Sequence, residues 1–212
     1  MTQACSEGAG LGVRDEQKAA TREKVLVAAR DLFNDVGYEE TTIRAIAERA
    51  GVSVGSVFTT FASKAEVLSH VMTHRLDELY AEFDRVVPFL RGSTTDRLCS
   101  IFAIHYAFET RRVKLFLAHI AASYNPNNEA GVTPYGRNPR LSQMLIDVLA
   151  EGVRQGEVRA DLDLDLLVDT LKAAYAWNYR IAAAAGGDLP AAQMSAAMDR
   201  QIAVIAEGWK PR

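Results

Sequence analysis

The sequence predicts an all-α fold, and three observations carry that expectation. From about Thr21 onward, apolar residues recur at the three- and four-residue spacing of amphipathic helices. No stretch alternates with the period of two that a half-buried strand needs. The six prolines fall mainly at expected helix ends or within one loop.

Taken in order, residues 1–18 are small and polar and read as a disordered tail. Val25, Leu26, Ala29, Leu32, Phe33 and Val36 then line one face of a helix over about 20–36. Gly37 can end it by taking positive φ. Thr42 caps a short helix carrying Ile43, Ile46 and Ala47, Gly51 breaks it, and Ser53 caps a third helix reaching about Thr60. Ser63-Lys64-Ala65-Glu66 fits a capping box opening a long helix that Pro88 stops. Further helices are expected at about 95–109, 112–124, 139–155, 163–185 and 190–208. Residues 125–140 hold three prolines, two glycines and four asparagines and read as a long loop.

Composition bounds the function. The 212 residues are 49% hydrophobic and 24% charged, ordinary for a globular protein with a real core. A net charge of −3 argues against a generally basic nucleic-acid coat, although a local DNA-reading surface needs only its contact face positive. Residues 1–65 contain eight Lys/Arg and nine Asp/Glu, so even that region is not basic overall. Cys5 and Cys99 are far apart, without metal-ligand spacing, and suit a reducing cytoplasm. No apolar run is long enough to span a membrane, and no signal peptide is visible.

Residues 42–61 (TIRAIAERAGVSVGSVFTTF) hold two short helices around a turn at Gly51. Ala47 is small where the helices touch. Ser53, Ser56, Thr59 and Thr60 form a polar outer face on the second helix. That pattern fits a helix-turn-helix entering the DNA major groove.

Residues 21–68 as a whole resemble the N-terminal domain of the tetracycline-repressor (TetR) family. The resemblance rests on Ala28-Ala29-x-x-Leu32-Phe33-x-x-x-Gly37-Tyr38, Thr41-Thr42-Ile43-x-x-Ile46-Ala47, Ala50-Gly51-Val52-Ser53-x-Gly55 and Phe61-x-Ser63-Lys64, linked in order and spacing. It implies about nine helices: a three-helix DNA head over 19–65, and an effector-binding and dimerisation body over 66–212. It also implies a homodimer through the last two helices, a double-stranded DNA operator, a small-molecule effector and no cofactor. Carried over by position, Thr42 caps and touches phosphate, with Arg44 at the exposed start of that helix. Ser53, Val54, Gly55 and Ser56 open the recognition helix. Phe58, Thr59 and Thr60 follow, and Lys64 reaches phosphate. The family often has Tyr where this chain has Phe58, and His or another aromatic residue at Thr60. Phe58 thereby loses one phosphate hydrogen bond and Thr60 can donate only a shorter one; with few positive charges in the head, a modest affinity and a shallow salt dependence are expected.

Three other patterns point to chemistry less well. Gly51-Val52-Ser53-Val54-Gly55 matches a hydrolase nucleophile elbow but lacks the preceding strand. Asp161, Asp163 and Asp165 alternate as in a calcium loop, yet Leu166 and Lys172 stand where Gly and Glu are required. His70 and His74 have zinc spacing without an evident third ligand. The chain is therefore expected to be neither an enzyme nor a metal protein. In the body, Phe102, His105, Tyr106, Phe116, His119, Tyr175 and Asn178 could supply apolar walls and a few polar groups for an effector. The same stripe is what a packed core would show. Small residues with Met194, Met198, Ile202 and Ile205 suit either a subunit interface or intrachain packing. The expected function is a cytoplasmic repressor released from a palindromic operator by its effector. An activator, a co-repressor-dependent regulator, or a small-molecule binding protein with a vestigial head would carry the same residues.

Overall fold

The computed structural model describes residues 13–123, 139–185 and 190–210. Among these the protein is helical and contains no strand. The helices are α1 (Val13–Asp35), α2 (Ile43–Ala50), α3 (Val54–Thr60), α4 (Lys64–Val86), α5 (Thr94–Glu109), α6 (Val113–Ser123), α7 (Pro139–Arg154), α8 (Leu164–Ala184) and α9 (Ala191–Trp209). Short 3-10 turns follow α4 and precede α6. The chain divides into two compact units, Met1–Val71 and Met72–Arg212. The division falls inside α4, whereas the sequence suggested 65/66, at that helix's start. The reason is that the first two turns of α4 bury Val67, Leu68 and Val71 in the first unit.

Helix α1 starts earlier than expected, taking in residues 13–18 that the sequence assigned to a tail. Asp15 and Glu16 in its first turn favour the positive end of the helix dipole. Gln17, Lys18, Ala19 and Ala20 then continue it as good helix formers. Residues 1–12 of the expected tail, and 125–138 of the expected loop, lie outside the described residues. Helix α7 opens on Pro139, whose missing N–H costs nothing at a first helical position.

In the first unit, Val25, Ala29 and Phe33 of α1 pack with Ile46 and Ala47 of α2, Val57 of α3, and Phe61, Val67 and Leu68. Thr42 caps α2, its hydroxyl accepting from Ala45 N–H at 3.1 Å. Gly51 closes α2 at φ 66°, a conformation that favours glycine. Its N–H and that of Val52 return to the Glu48 and Ala47 carbonyls at 3.1 and 3.0 Å. Ser53 Oγ accepts from Ser56 N–H at 3.0 Å and caps α3.

The expected box at Ser63 forms in altered shape. Ser63 Oγ accepts from Glu66 N–H, but Glu66 reaches back to the N–H of Ala62 rather than of Ser63. A reciprocal capping box between Ser93 and Asp96 opens α5.

In the second unit, α5 packs on α9 and α7, and α8 on α7 and α9. Leu98, Ile101, Phe102, Leu145, Leu171 and Ile202 are among its fully buried side chains. Gly152 lets α7 approach closely: a Cβ there would lie 2.9 Å from Val158 Cγ2. Asp163, one of the alternating aspartates, accepts from Leu166 N–H at 3.0 Å and caps α8. Asp161 is instead held by Arg159.

Candidate functional site

Helix α3 is amphipathic in an unusual sense. Val57 and the following Phe61 are buried at 0% and 1% exposure. Val54, Gly55, Phe58 and Thr59 are exposed and adjoin one another, because residues three and four apart are neighbours on a helix. Phe58 is 54% exposed and Val54 40%. The hydroxyls around them are already engaged. Thr59 donates to the Gly55 carbonyl at 2.8 Å and Thr60 to the Ser56 carbonyl at 3.1 Å. Ser53 and Ser56 share a hydrogen bond at 2.8 Å. The hydroxyls of the expected polar outer face are therefore largely engaged within the helix, and Phe58 and Val54 stand exposed beside them.

Thr42 and Arg44 are exposed at the start of α2. Lys64 has a different employment from the phosphate contact expected of it. Its ammonium donates to the carbonyls of Tyr38, Glu39 and Thr41 at 2.8, 3.3 and 3.0 Å, and sits 4.3 Å from the Tyr38 ring centroid. Three donors meet three acceptors, so the side chain ties the turn after α1 to the start of α4. His70 of α4 is also engaged: its Nδ1 accepts from Arg22 of α1 at 2.9 Å. Partial burial and the Arg22 charge hold the imidazole below its ordinary pKa. His74, with which a zinc pair was conceivable, lies beside Glu78.

The seven candidate effector residues of the body are all buried. Six of them fall into one cluster. Tyr175 lies 5.5 Å from Phe102, 4.8 Å from His105 and 4.9 Å from Tyr106, ring centroid to centroid. Phe116 packs tilted against Tyr179, with ring centroids 4.4 Å apart, and Tyr179 also packs against Tyr106 and Tyr175. A hydrogen-bond chain threads these rings. The Tyr175 hydroxyl donates to Tyr179 at 3.2 Å and bonds His105 Nδ1. Asn178 donates to the Tyr106 hydroxyl at 3.0 Å, and Asn178 and Gln201 exchange amide hydrogen bonds at 2.9 and 3.1 Å. Burial, reinforced by the Arg75 charge, pushes the His105 imidazole down to about 3. His119 is the exception to the cluster. It is buried on α6 with Nδ1 unpartnered among the described residues, and burial lowers its pKa to about 4.

Sequence reasoning missed Tyr179, Gln201 and an ion pair. Tyr179 carried a signal, standing four residues beyond Tyr175 on the same face. Gln201 and the pair carried none. Arg75 of α4 donates from Nε and a terminal nitrogen to Glu109 Oε2, both at 3.1 Å, and to the Phe108 carbonyl at 2.9 Å. Glu109 is fully buried and its Oε1 has no partner among the described residues. Burial outweighs the attraction of Arg75 and lifts its carboxyl to about 7.

The other face of α8 and α9 is apolar and open. Trp177, Ile181 and Val204 are 54%, 47% and 75% exposed. Ala174, Ala197, Val204 and Ile205, together with Arg200 and Gln201, line a cleft of about 400 Å3 between the two helices. Among the described residues no helix is long and apolar enough to cross a membrane, and no group of three or more His, Cys, Asp or Glu is placed to hold a metal.

Comparison with known proteins places these features. Residues 25–71 match the family described as bacterial regulatory proteins, tetR family. The chain is 30% identical over 152 residues to the HTH-type transcriptional repressor KstR2 of Mycolicibacterium smegmatis, covering 71% of this chain and 74% of the relative. It is 29% identical over 197 residues to KstR2 of Mycobacterium tuberculosis, covering 91% and 94%. Among solved structures, Thermus thermophilus FadR, a TetR-family repressor in complex with lauroyl-CoA, superposes with a TM-score of 0.71 at 25% identity. The match covers 90% of this chain and 96% of that one.

Proposed function

Because this chain belongs to the TetR family of bacterial regulatory proteins, we propose that it is a repressor released from a palindromic operator by a coenzyme A thioester. It acts in the cytoplasm as a homodimer, its α8–α9 faces forming a four-helix interface that covers Trp177, Ile181 and Val204. Two-fold symmetry then puts the half-sites about 34 Å, or a multiple, apart. Thr42, Arg44, Ser53, Val54, Gly55, Ser56, Phe58, Thr59 and Thr60 meet the DNA, with Lys64 holding the head together. The exposed face of α3 beside a fully capped turn carries this reading, since a groove-reading helix needs an outer face that its own fold does not use.

The effector class is supported by the lauroyl-CoA bound to the Thermus FadR and by the aromatic cluster of this body. Rings with a few fixed hydroxyl and amide groups suit an acyl portion that is mostly apolar. Helix α4 contributes residues to both units and is the lever. An effector moves it only through a difference in affinity between two body conformations.

The test uses full-length protein and an operator selected from random-sequence duplexes. Ser56→Glu sets a carboxylate against the DNA and is expected to abolish binding with the dimer intact by size exclusion. Lauroyl-CoA, but not free coenzyme A, is expected to release the unmodified protein. Normal binding by Ser56→Glu overturns the placement of α3, and indifference to lauroyl-CoA and its chain-length homologues overturns the effector class.

A further inference from the structure

We propose that α3 reads its half-site chiefly through thymine methyl groups, with Phe58 and Val54 as the specificity-determining residues. This rests on the operator-binding reading above. It commits the exposed apolar face of α3 to one occupant, the thymine-bearing wall of a major groove.

The side chains that α3 does not have are the first argument. Guanine is read in the major groove by Arg or Lys, and adenine by Asn or Gln, through paired hydrogen bonds. Residues 53–61 (SVGSVFTTF) contain none of these. The donors that are present are mostly spent. The Thr59 and Thr60 protons go to helix carbonyls, and one of the two serine protons goes to the other serine. Those hydroxyls keep acceptor capacity, but the helix offers little to donate.

The second argument is what it does expose. Phe58 and Val54 stand four residues apart and so adjoin on one face, with more than half of Phe58 and two fifths of Val54 open. Phe58 has no hydroxyl for a phosphate. Its gain on binding must come from removing apolar surface from water. The C5-methyl of thymine is the apolar group that a base pair presents in the major groove.

The third argument is Gly55, which lies on the same face. Glycine is a poor helix former, and nothing in the head requires it here. A Cβ at that position would meet only Ser53 Oγ, at 3.8 Å. The missing side chain leaves a gap beside Val54 through which the helix backbone can approach the bases.

The experiment begins with the same selected operator. Each thymine in a half-site is replaced by uracil, which deletes the methyl and keeps every hydrogen-bonding group. Loss of one buried methyl is expected to weaken binding about fourfold, and its loss from both half-sites roughly 15-fold. Phe58→Ala and Val54→Ala are expected to bind more weakly and to treat thymine and uracil alike at the position each one covers. Both side chains are exposed, so the head should keep its helicity by circular dichroism, and Phe58→Leu is expected to retain part of the discrimination. Arg44→Ala serves as the contrast: it should weaken thymine and uracil duplexes equally. An operator indifferent to uracil, or discrimination that survives both alanine variants, overturns thymine readout while leaving operator binding standing. Failure to enrich any sequence overturns both.

Discussion

In the unit of residues 1–71, the hydroxyls of Thr42, Ser53, Thr59, Thr60 and Ser63 bond to partners three or four residues away. In the unit of residues 72–212, the buried polar side chains bond across the fold. Arg75 and Glu109 are 34 residues apart, His105 and Tyr175 are 70, and Tyr106 and Asn178 are 72. The head closes these hydroxyls within single turns, so its caps need only short sequence windows, while Lys64 and Arg22 reach across it to residues 38–41 and to His70. The body satisfies them by bringing α4, α5, α8 and α9 together. Its buried polar atoms without partners among the described residues include Glu109 Oε1 and His119 Nδ1. A region that must present one fixed surface gains from local closure. A region that must respond to a ligand gains from a polar core with bonds still to make.

The largest test of this contrast is Arg75→Ala. Removing one member of a buried ion pair typically costs about 3–5 kcal/mol, because the other is left unpaired. Hydrogen exchange of α5 amides should accelerate far more than that of α2 amides. Equal acceleration in both units would mean that they do not differ in this way.

A second test uses pH, read through Trp177 and Trp209, which both belong to the body. Burial holds His119 at about 4 and His105 at about 3, while an unfolded histidine titrates near 6.5. Both folded-state values are depressed. Their contribution to stability is complete above about 6.5 and is lost as the pH falls, because only the unfolded chain takes up the protons. Glu109 acts in the opposite sense. Its raised carboxyl, at about 7, binds a proton in the folded state first, and so adds stability as the pH falls from 7 towards the unfolded value. Two protons against one leave a net loss of up to about 1.4 kcal/mol per pH unit between 6.5 and 4.5. His119→Leu should bring that slope in urea unfolding close to zero. An unchanged slope would show that His119 is not held neutral by burial.

The smallest effect belongs to the head. Thr42→Ala removes one cap and should cost about 1 kcal/mol, seen as faster exchange in the first turn of α2 with the tryptophan-reported stability unchanged. A change in the body signal would show that the local closure of the head is not local in consequence.

Much of this protein was legible in order along the chain. Thr42, Gly51 and Ser53 announced the two short helices because capping hydroxyls and a left-handed glycine act on neighbours three residues away. The start of α1 was not legible, since a polar stretch with Asp15 and Glu16 resembles a tail until helix propensity and the helix dipole are weighed together. The employment of Lys64 was not legible either. A lysine at a helix start looks free until the turn of residues 38–41 is folded beneath it. Six of the seven candidate effector residues do assemble, because helical spacing alone puts His105 with Phe102 and Asn178 with Tyr175. Their partners across helices could not be read that way.

The sequence by itself determined the helix-turn-helix, its caps at Thr42 and Ser53, and the family, since each is set by contacts within a few residues or by a linked motif. Only the tertiary structure decided that Val57 and Phe61 are buried while Phe58 is left in the open. The tertiary structure likewise paired Arg75 with Glu109. That pairing depends on which groups lie within about 3 Å once the chain is folded, and hydrogen bonds of that length leave no periodicity in a sequence.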